Sequence, residues 1–389
     1  MKTTAIHAGV DFGTSNCSIG IWTGNGPVLL PLEGDSRQLP SALYTSRQSM
    51  RVETIDAETL AERVSAARRR QASALEKARQ DGERFRALSD SELENIERGL
   101  MRREVEQRSR LRYESQSIGD ALYADTEVVF GEAAIQRHIE DPQSGYFIKS
   151  PKSFLGADIP KRDITLFSEI ITRILAYIKA SAEQYVGSEI RNVVLGRPVR
   201  FHGTRGDQGD AQAVSILQTA ATAAGFGEIS FLMEPIAAAL DYERSIVRDR
   251  LVLVLDAGGG TTDCSMVRIG PSHARLQDRS RSVLGYAGDR TGGTDLDTRL
   301  ALRKIMPVFG KDSLLKSGLP IPNMPYWNAA TINDVNAQRD FFSERTRREI
   351  DLYLRQASEP EKVKHLKTIH EDRLTIPINR SAELAKKHL

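Results

Sequence analysis

The chain has 389 residues, too many for a single compact core, so two or more domains are expected. Its net charge of +2 argues against a protein that binds nucleic acid through bulk positive charge. The two cysteines make no CxxC motif, no apolar stretch is long enough to span a bilayer, and the N-terminus lacks the apolar core of a signal peptide. We therefore expect a cytoplasmic protein with neither a nucleic-acid nor a membrane partner.

The first predicted elements are two strands joined by a turn at residues 5–22. The segments "AIHAGVDF" and "CSIGIW" have the composition of strands, and "GTSN" between them supplies turn residues. A carboxylate, Asp11, stands at the end of the first strand. This segment predicts a β-hairpin that presents one loop.

A segment of different composition follows at residues 56–114, which is dense in Arg, Glu, Gln and Ala. Asp81-Gly82 and Ser89-Asp90 would end or cap helices, so we expect two or more long charged helices, with an antiparallel hairpin as one arrangement. A solvated spacer is favoured over a partner-docking arm, because mixed charge is typical of exposed helices. The apolar positions with helical spacing are Leu60, Val64, Ala67, Ala74, Ala78, Leu93, Ile96 and Leu100.

The chain then alternates strands with helices up to residue 243. "VFGEAAIQRH" predicts a strand end running into a helix, residues 163–186 an amphipathic helix, and "RNVVLGRPV" a strand. "AQAVSILQTAATAAGF" predicts a helix closed by Gly225. "ISFLMEPIAAALDYE" predicts a strand, a Glu-Pro turn and a helix that starts after the proline. This alternation indicates an α/β architecture.

A second hairpin, at residues 251–269, repeats the pattern of the first. The strand "LVLVLD", which we expect to be buried, leads through "AGGGTT" into the return strand "DCSMVRI". Again an aspartate, Asp256, closes the first strand, and small and hydroxyl residues fill the turn. Two such hairpins far apart in the sequence indicate two similar lobes, each presenting one loop.

The two loops contain the residue types that bind phosphate. Glycine turns after strands leave backbone N–H groups able to form an anion-binding concavity, and the sequence contains no P-loop motif. A polyphosphate would repel Asp11 and Asp256 unless a divalent cation lay between them, which favours Mg²⁺ held by carboxylates, waters and phosphate oxygens. Asp263 can order a water or accept its proton. The hydroxyl donors are Thr14, Ser15, Thr261 and Thr262.

Other chemistry-bearing residues predict no site by themselves. Lys152 has the context of an ordinary loop lysine, and Glu234 that of an acid favoured by the start of a helix. Cys17 and Cys264 are expected to be small buried side chains. The seven histidines show no HExxH motif and no paired spacing, so none is predicted to bind a metal.

Several motifs, in order, resemble those of the seventy-kilodalton heat-shock (DnaK-type) chaperones, within the actin-like ATPase superfamily. "GVDFGTSNCSIGIW" and "LVLVLDAGGGTTDCS" resemble the two phosphate motifs of that family. Five further stretches are similar to family motifs: "QLPSALYT", "KSFLG", "FLMEPIAAALDY", "GDRTGGTDLD" and "AELAKKHL". The resemblance runs from residue 6 to the end of the chain, and within the family it is greatest to the YegD-type chaperone-like proteins.

The resemblance implies an α/β fold of the actin-like ATPase (ribonuclease H-like) type, with two lobes around a nucleotide cleft and a charged helical insertion in the first lobe. Lobe I would span residues 1–195 and lobe II residues 196–389. Within them, the implied parts are a lobe I core at 1–33 and 160–195, a subdomain with the insertion at 34–159, a lobe II core at 196–290 and a helical subdomain at 291–389.

The resemblance also implies roles for individual residues. Lys152 would place its ammonium on the γ-phosphate and the attacking water, Glu234 and Asp263 would orient that water, and Thr261 would hydrogen-bond the γ-phosphate. Two carboxylates, Asp11 and Asp256, would lie near Mg²⁺, mainly through its waters. The implied nucleotide contacts are Gly13, Thr14, Ser15, Asn16, Gly258, Gly259, Gly260, Thr262, Gly292, Gly293, Glu383, Lys386 and Lys387.

Two departures from the family bear on function. The sequence ends on the Glu-x-x-Lys helix without the later adenosine motif, so the end of the lobe II core would be absent, and it shows no peptide-binding β-sandwich. We expect a chaperone-like protein that binds ATP or ADP with Mg²⁺, hydrolyses ATP if the nucleotide site is complete, and has an unidentified client or co-chaperone. The alternatives are a non-catalytic nucleotide-sensing or scaffold protein and a small-molecule kinase of the same fold.

Overall fold

The computed structural model describes residues 6–47, 56–82, 84, 86–114, 117–124, 126–158, 160–201 and 205–388. The chain divides into two compact units. One comprises residues 1–45 together with 127–389, and the other comprises residues 46–126. Within the described part of the chain, no helix has both the length and the apolar character required to cross a membrane.

The first hairpin forms as the sequence predicts. Residues of its first strand alternate between a buried face, which includes Val10 and Phe12, and a face that carries Asp11. The two strands pair in antiparallel register, with Gly9 opposite Gly20. The first five strands are β1 (Ile6–Phe12), β2 (Asn16–Thr23), β3 (Gly26–Leu29), β4 (Leu39–Pro40) and β5 (Ala42–Ser46).

The inserted unit contains the helices α1 (Ala57–Asp81), α2 (Asp90–Glu114) and α3 (Ile118–Tyr123). Gly82 ends α1 in the left-handed conformation, with φ of 71°. Ser89 begins α2 with a reciprocal cap, in which its N–H donates to Glu92 Oε2 at 2.7 Å and its Oγ accepts from Glu92 N–H at 3.3 Å. Arg63 bonds Glu104, and Gln71 bonds the backbone of Leu88, so α1 and α2 run antiparallel.

The buried faces of these helices differ in part from the predicted ones. In α1, Ala74 is exposed although the other predicted apolar positions are buried. In α2, Ile96 and Leu100 are exposed, and the buried line is Leu93, Glu97 and Met101. Spacings of three and four residues both fit a helix, so the sequence pattern did not distinguish these faces. Glu97 is tolerated on the inner face because Arg70 lies 3.2 Å from its carboxylate.

The larger unit resumes with alternating strands and helices. Its next elements are β6 (Val128–Phe130), α4 (Gly131–Glu140), β7 (Gly145–Lys149), α5 (Lys161–Val186), β8 (Ile190–Arg197), α6 (Asp207–Ala223), β9 (Glu228–Met233) and α7 (Glu234–Glu243). The helix α7 begins at Glu234, and not after Pro235 as predicted. Proline fits the first turn because the N–H that it lacks would have no partner there.

One sheet has the strand order β3-β2-β1-β8-β9, with β8 and β9 parallel to β1. A smaller sheet has the order β6-β5-β7. The helix α5 carries an aliphatic stripe with at most 1% exposure, which includes Ile171, Ile174 and Ile178. Full burial of one such side chain contributes about 1.5–3 kcal/mol relative to exposure, so this stripe is a major source of stability.

The remaining elements form a third sheet and a helical region. They are β10 (Arg250–Ala257), β11 (Thr262–Ile269), α8 (Pro271–Ala274), β12 (Val283–Asp289), α9 (Gly293–Leu300), α10 (Met324–Ala330), α11 (Val335–Phe341), α12 (Glu344–Gln356), α13 (Pro360–Glu371) and α14 (Thr375–Lys387). The sheet has the order β10-β11-β12. The helical region has a core of its own, centred on Tyr326, Phe341 and Leu366.

The expectation that the strand "LVLVLD" is buried is wrong for one of its faces. Val252 and Val254 pack with Ala239 of α7. Leu253 and Leu255 point the other way, are 58% and 72% exposed, and have no covering element among the described residues. Successive side chains in a strand alternate between faces, so a continuous apolar run does not by itself show that both faces are covered.

Candidate functional site

The two glycine- and hydroxyl-bearing loops lie against each other. A Cβ atom added to Gly259 would collide with Ser15 Oγ, and one added to Gly260 would lie 3.0 Å from Thr14 Oγ1. Gly259 and Gly260 belong to the turn between β10 and β11, whereas Thr14 and Ser15 belong to the turn between β1 and β2. The glycines are therefore required by the close approach of a second loop, in addition to any ligand.

A cleft of about 750 Å³ contains both loops. Its lining joins the Asp-bearing ends of β1 and β10 to residues from the segment after β7 and from the start of α7. The predicted site residues that line it are Asp11, Gly13, Thr14, Ser15, Asn16, Lys152, Glu234, Asp256, Gly258, Gly259, Gly260 and Thr261. A second cleft of about 720 Å³, beside Arg197 and Tyr286, contains none of the predicted site residues, so we assign the site to the first.

Lys152 forms an ion pair inside this cleft. It lies on a short 3-10 turn, Pro151–Phe154, is only 5% exposed, and places Nζ 2.5 Å from Glu234 Oε1. Burial disfavours the ammonium form, but the carboxylates of Glu234 and Asp11 outweigh that effect, and the pKa of Lys152 is raised. Lys152 is therefore a fixed positive charge beside the loops.

Three carboxyl groups at the site have raised pKa values. Asp11 faces the cleft, but the surrounding protein displaces much of its hydration and raises its pKa to about 6; Lys152 lowers that pKa, whereas Glu234 and Asp256 raise it further. Burial also raises the pKa of Asp256, and that of Asp263 to about 6. A raised carboxyl pKa indicates a negative charge that is poorly compensated, so a cation near these groups would be bound favourably.

Asp11 and Asp256 are the residues here that could hold a divalent cation. Among the described residues, no group of three or more His, Cys, Asp or Glu side chains is arranged to ligate a metal. Two carboxylates at one cleft suit Mg²⁺, which takes few protein ligands and keeps waters or phosphate oxygens in its other positions. The chemistry of these side chains thus fits such an ion.

Asp263 and Thr262 lie outside the lining of the cleft. Asp263 is 1% exposed and accepts a hydrogen bond from the Thr261 hydroxyl at 3.0 Å. The Thr262 hydroxyl donates to the carbonyl oxygen of Thr291 at 2.7 Å. Thr262 therefore ties the second loop to the segment before Gly292, while Asp263 positions a side chain that does line the cleft.

Gly292 and Gly293 contact the backbone of the second loop. The Gly293 N–H donates to the Gly258 carbonyl at 2.9 Å, and the Thr294 N–H donates to the Gly259 carbonyl at 2.8 Å. A Cβ on Gly292 would lie 2.5 Å from the Gly259 carbonyl oxygen. Two backbone segments thus run in contact here, which only glycine permits.

The three charged residues predicted at the adenosine, Glu383, Lys386 and Lys387, do not line the cleft. Lys386 donates to the Gly293 carbonyl at 2.9 Å and pairs with Asp297 at 2.8 Å. Glu383 accepts from Lys387 at 2.8 Å and from Lys149 at 3.1 Å. Burial disfavours the Glu383 carboxylate, but these two cations prevail and lower its pKa to about 2.

Lys149 and Asp297 are partners of these charged residues that the sequence analysis did not predict. Asp297 stands within the quoted stretch "GDRTGGTDLD", so its motif was a usable signal. Lys149 precedes Lys152 by three residues, but no spacing rule connects it to Glu383 far along the chain. Of the two cysteines, Cys17 is buried as predicted, whereas Cys264 is partly exposed.

Comparison with known proteins gives the class to which this arrangement belongs. The family described as "Hsp70 protein" matches residues 128–314. "Chaperone protein DnaK" of Thermotoga neapolitana is 35% identical over 180 residues, which is 45% of this chain and 27% of that protein. The protein of the same name from Ureaplasma parvum serovar 3 is 32% identical over 179 residues, covering 44% and 26%.

The matches thus extend over about a quarter of the length of the curated relatives. With the mixed α/β structure, they define an actin-like ATPase fold. They support assignment of the chain to the Hsp70 family. The resemblance to YegD-type proteins and the cytoplasmic location stay predictions.

Proposed function

We propose that this chain is a chaperone-like Hsp70-family protein that binds ATP or ADP with Mg²⁺ in the cleft between the two loops, and that it hydrolyses ATP there. The observation that carries the proposal is the contact between Gly259 and Ser15, which brings two separate glycine- and hydroxyl-bearing turns to one cleft. Asp11, Asp256 and Lys152 line the same cleft. Carboxylates, a buried ammonium and bare backbone are the groups that a metal-bound polyphosphate requires.

In this proposal, Lys152 stabilises the charge that moves during phosphoryl transfer. Its pKa is raised, so it remains a cation, and its ion pair with Glu234 holds the ammonium in place before the substrate arrives. A charge that is already oriented needs no rearrangement during the reaction, and loss of one such group typically slows catalysis by about 10²–10³-fold. Mg²⁺, when bound, would neutralise charge on the β- and γ-phosphates.

Glu234 and Asp263 would orient the attacking water, directly and through Thr261 respectively. The Thr261 hydroxyl proton points to Asp263 in this structure. A contact from Thr261 to the γ-phosphate would therefore require that proton to change its acceptor. Burial raises the pKa of Asp263 to about 6, so protonation of Asp263 below that pH would release the Thr261 proton to turn toward the phosphate.

A non-catalytic nucleotide sensor remains the second candidate. It is favoured by the placement of three charged residues outside the cleft lining, where Lys387 bonds Glu383 and Lys386 bonds the Gly293 carbonyl. The lobe boundaries drawn from the sequence, and a protein client or co-chaperone as the partner, are likewise proposals.

The test is a titration with MgATP and MgADP, followed by single-turnover hydrolysis, on the wild type and on Lys152→Ala. We expect micromolar or tighter binding, slow hydrolysis by the wild type, and at least 100-fold slower hydrolysis by the variant. Lys364→Ala, at a 66% exposed side chain, is the matched control and should match the wild type. Binding without turnover would support the sensor, turnover only with an added sugar would support a kinase, and absence of binding would exclude all three.

A further inference from the structure

A single buried serine, Ser41, makes three hydrogen bonds that connect two separate segments of the candidate site. Its hydroxyl donates to the Gly13 carbonyl at 2.7 Å, and its backbone N–H donates to the Ser15 carbonyl at 2.9 Å. Its own carbonyl accepts from the Ser150 N–H at 2.8 Å. Ser41 is 0% exposed, so these bonds face no competition from water.

The hydroxyl of Ser41 also has a defined acceptor role. Because its one proton is directed to Gly13, the contact of 3.2 Å with Cys17 Sγ is a hydrogen bond donated by the thiol. Donor and acceptor capacity are therefore both used. A methyl group in place of the hydroxyl would leave the buried Gly13 carbonyl and the Cys17 thiol without this partner.

The two carbonyl bonds control where the first loop points its N–H groups. In a trans peptide the C=O and the following N–H point in opposite directions. Ser41 draws the Gly13 and Ser15 carbonyls toward itself, so the N–H groups of Thr14 and Asn16 point away from it. Thr14 and Asn16 both line the cleft.

The third bond reaches the segment that carries Lys152. Ser150, two residues earlier, has φ of 57° and ψ of 50°, a left-handed conformation that is uncommon for any residue except glycine. Such conformations persist where the surroundings fix them, and here the Ser41 carbonyl holds the Ser150 N–H. The turn Pro151–Phe154 starts directly from this residue.

We infer that Ser41 is a positioning residue that fixes the first phosphate loop and the Lys152 turn in one mutual arrangement. It touches no substrate in this role. It acts through the direction of the Thr14 and Asn16 amides on one side and through the placement of the Lys152 ammonium on the other. The expected effect on catalysis rests on the proposed function. The hydrogen bonds that join the first loop and Ser150 through Ser41 are present in the protein without nucleotide.

The test compares Ser41→Ala with Ser153→Ala, and with Ser41→Thr, which keeps the hydroxyl. Ser153 is a matched control because it is also buried and adjoins Lys152, while its hydroxyl has no hydrogen-bond partner among the described residues. The first measurement is amide hydrogen exchange of the nucleotide-free proteins at equal distance from their melting temperatures. Ser41→Ala removes the hydroxyl bond to Gly13 but keeps the two backbone bonds of residue 41, so we expect the loosened junction to open both of them more often. Exchange should be at least tenfold faster at two amides together, that of residue 41, which donates to Ser15, and that of Ser150, which donates to residue 41.

The second measurement is single-turnover hydrolysis with affinities for MgATP and MgADP. Ser41→Ala should slow hydrolysis by about 10–100-fold and weaken ATP binding more than ADP binding, with partial recovery in Ser41→Thr and no change in Ser153→Ala. If the wild type does not bind nucleotide, the proposed function is wrong. The exchange measurement still tests the positioning role of Ser41, because it is made without nucleotide. Faster exchange at the amide of residue 41 without faster exchange at Ser150, or equal effects of Ser153→Ala, would overturn the inference.

Discussion

Gly259 shows at the scale of one residue why the second loop is rich in glycine. A methyl group there would collide with Ser15 Oγ and lie 3.2 Å from Ser15 Cβ and 3.3 Å from Ser15 N, so Gly259→Ala displaces the Ser15 hydroxyl and shifts the opposite loop slightly. We expect the variant to bind MgATP at least tenfold more weakly, with a melting temperature within a few degrees of wild type, because the displaced segment is a loop at the cleft.

Gly24→Ala provides the control, since a Cβ at Gly24 would have no atom within 4 Å. It should bind nucleotide like the wild type. Isothermal titration of both variants measures the difference, and equal affinities would show that loop contact is irrelevant to binding.

Asp11 leads to a pH-dependent prediction at the same scale. Its folded pKa of about 6 exceeds the ordinary value of 3.8, so the folded protein binds the proton more tightly than the unfolded chain does. Asp11 therefore lowers stability as pH rises from about 4 to 6, and the loss persists above pH 6. The free energy of unfolding of Asp11→Asn minus that of the wild type should therefore be larger at pH 7 than at pH 4. Both values are measured by urea unfolding without nucleotide.

His138 must be separated from this effect because its sign is opposite. Burial, helped by Arg373, lowers the pKa of His138 to about 4, so its contribution to stability is lost as pH falls from about 6.5 to 4. The Asp11→Asn comparison cancels it, since both proteins retain His138. A difference between wild type and variant that does not change with pH would contradict the raised pKa.

At the scale of elements, the helix α14 is joined to the small sheet and α4 by two ion pairs. Glu383 accepts from Lys149 at 3.1 Å, and Arg380 donates to Glu132 at 2.7 Å. Lys149 and Glu383 are 12% and 16% exposed, so this pair is less screened than a surface salt bridge. Loss of one hydrogen-bonded charged partner at such a site costs roughly 1–3 kcal/mol.

We therefore expect Glu383→Gln to lower the melting temperature by several degrees at pH 7. The folded pKa of about 2 lies below the ordinary value of 4.5, so the stabilisation is complete above pH 4.5 and declines as pH falls toward 2. The gap between variant and wild type should shrink over that range. Glu361→Gln, at an 83% exposed side chain whose nearest cation is 3.9 Å away, is the control and should have no effect.

At the scale of the whole molecule, the sequence predicted the elements whose signals are local. The two hairpins follow from Asp, Gly and hydroxyl residues between apolar runs, and α5 follows from its aliphatic period. It did not predict that Leu253 would be exposed or that Met101 would replace Leu100 on the inner face of α2. Those outcomes depend on which element covers each face of a strand or helix. The covering element can come from a distant part of the chain, so the local sequence pattern does not identify it.

The candidate site divides in the same way. The predicted residues of the two loops came from patterns along one strand or turn, whereas Lys152 and Glu234, which also line the cleft, came only from the family resemblance. The role of Ser41 depends on bonds to Gly13 and Ser150, 28 and 109 positions away in the numbering, and no local pattern encodes such a junction. The same holds for the Lys149–Glu383 pair.

The inserted helical unit yields a prediction for the molecule as a whole. Its ends are adjacent, because Thr45 of β5 pairs directly with Val128 of β6 in antiparallel register. Extending that register by one step would place Ser46 opposite Glu127, which leaves a gap that a two-residue turn can close. Replacement of residues 47–126 by Asn-Gly should therefore convert β5 and β6 into a simple hairpin and leave the larger unit folded.

We expect the shortened protein to melt within a few degrees of the full chain and to bind MgATP with an affinity within threefold of it. This is the result required if the helices are a solvated spacer, since none of the described residues that line the candidate cleft lies within 47–126. A version closed by Val-Val, which disfavours the φ > 0 conformation that this turn needs, should fold less well and confirms that the hairpin is formed. An unfolded Asn-Gly protein would show that the larger unit depends on the insertion, and a folded one with altered affinity would assign the helices a role in binding.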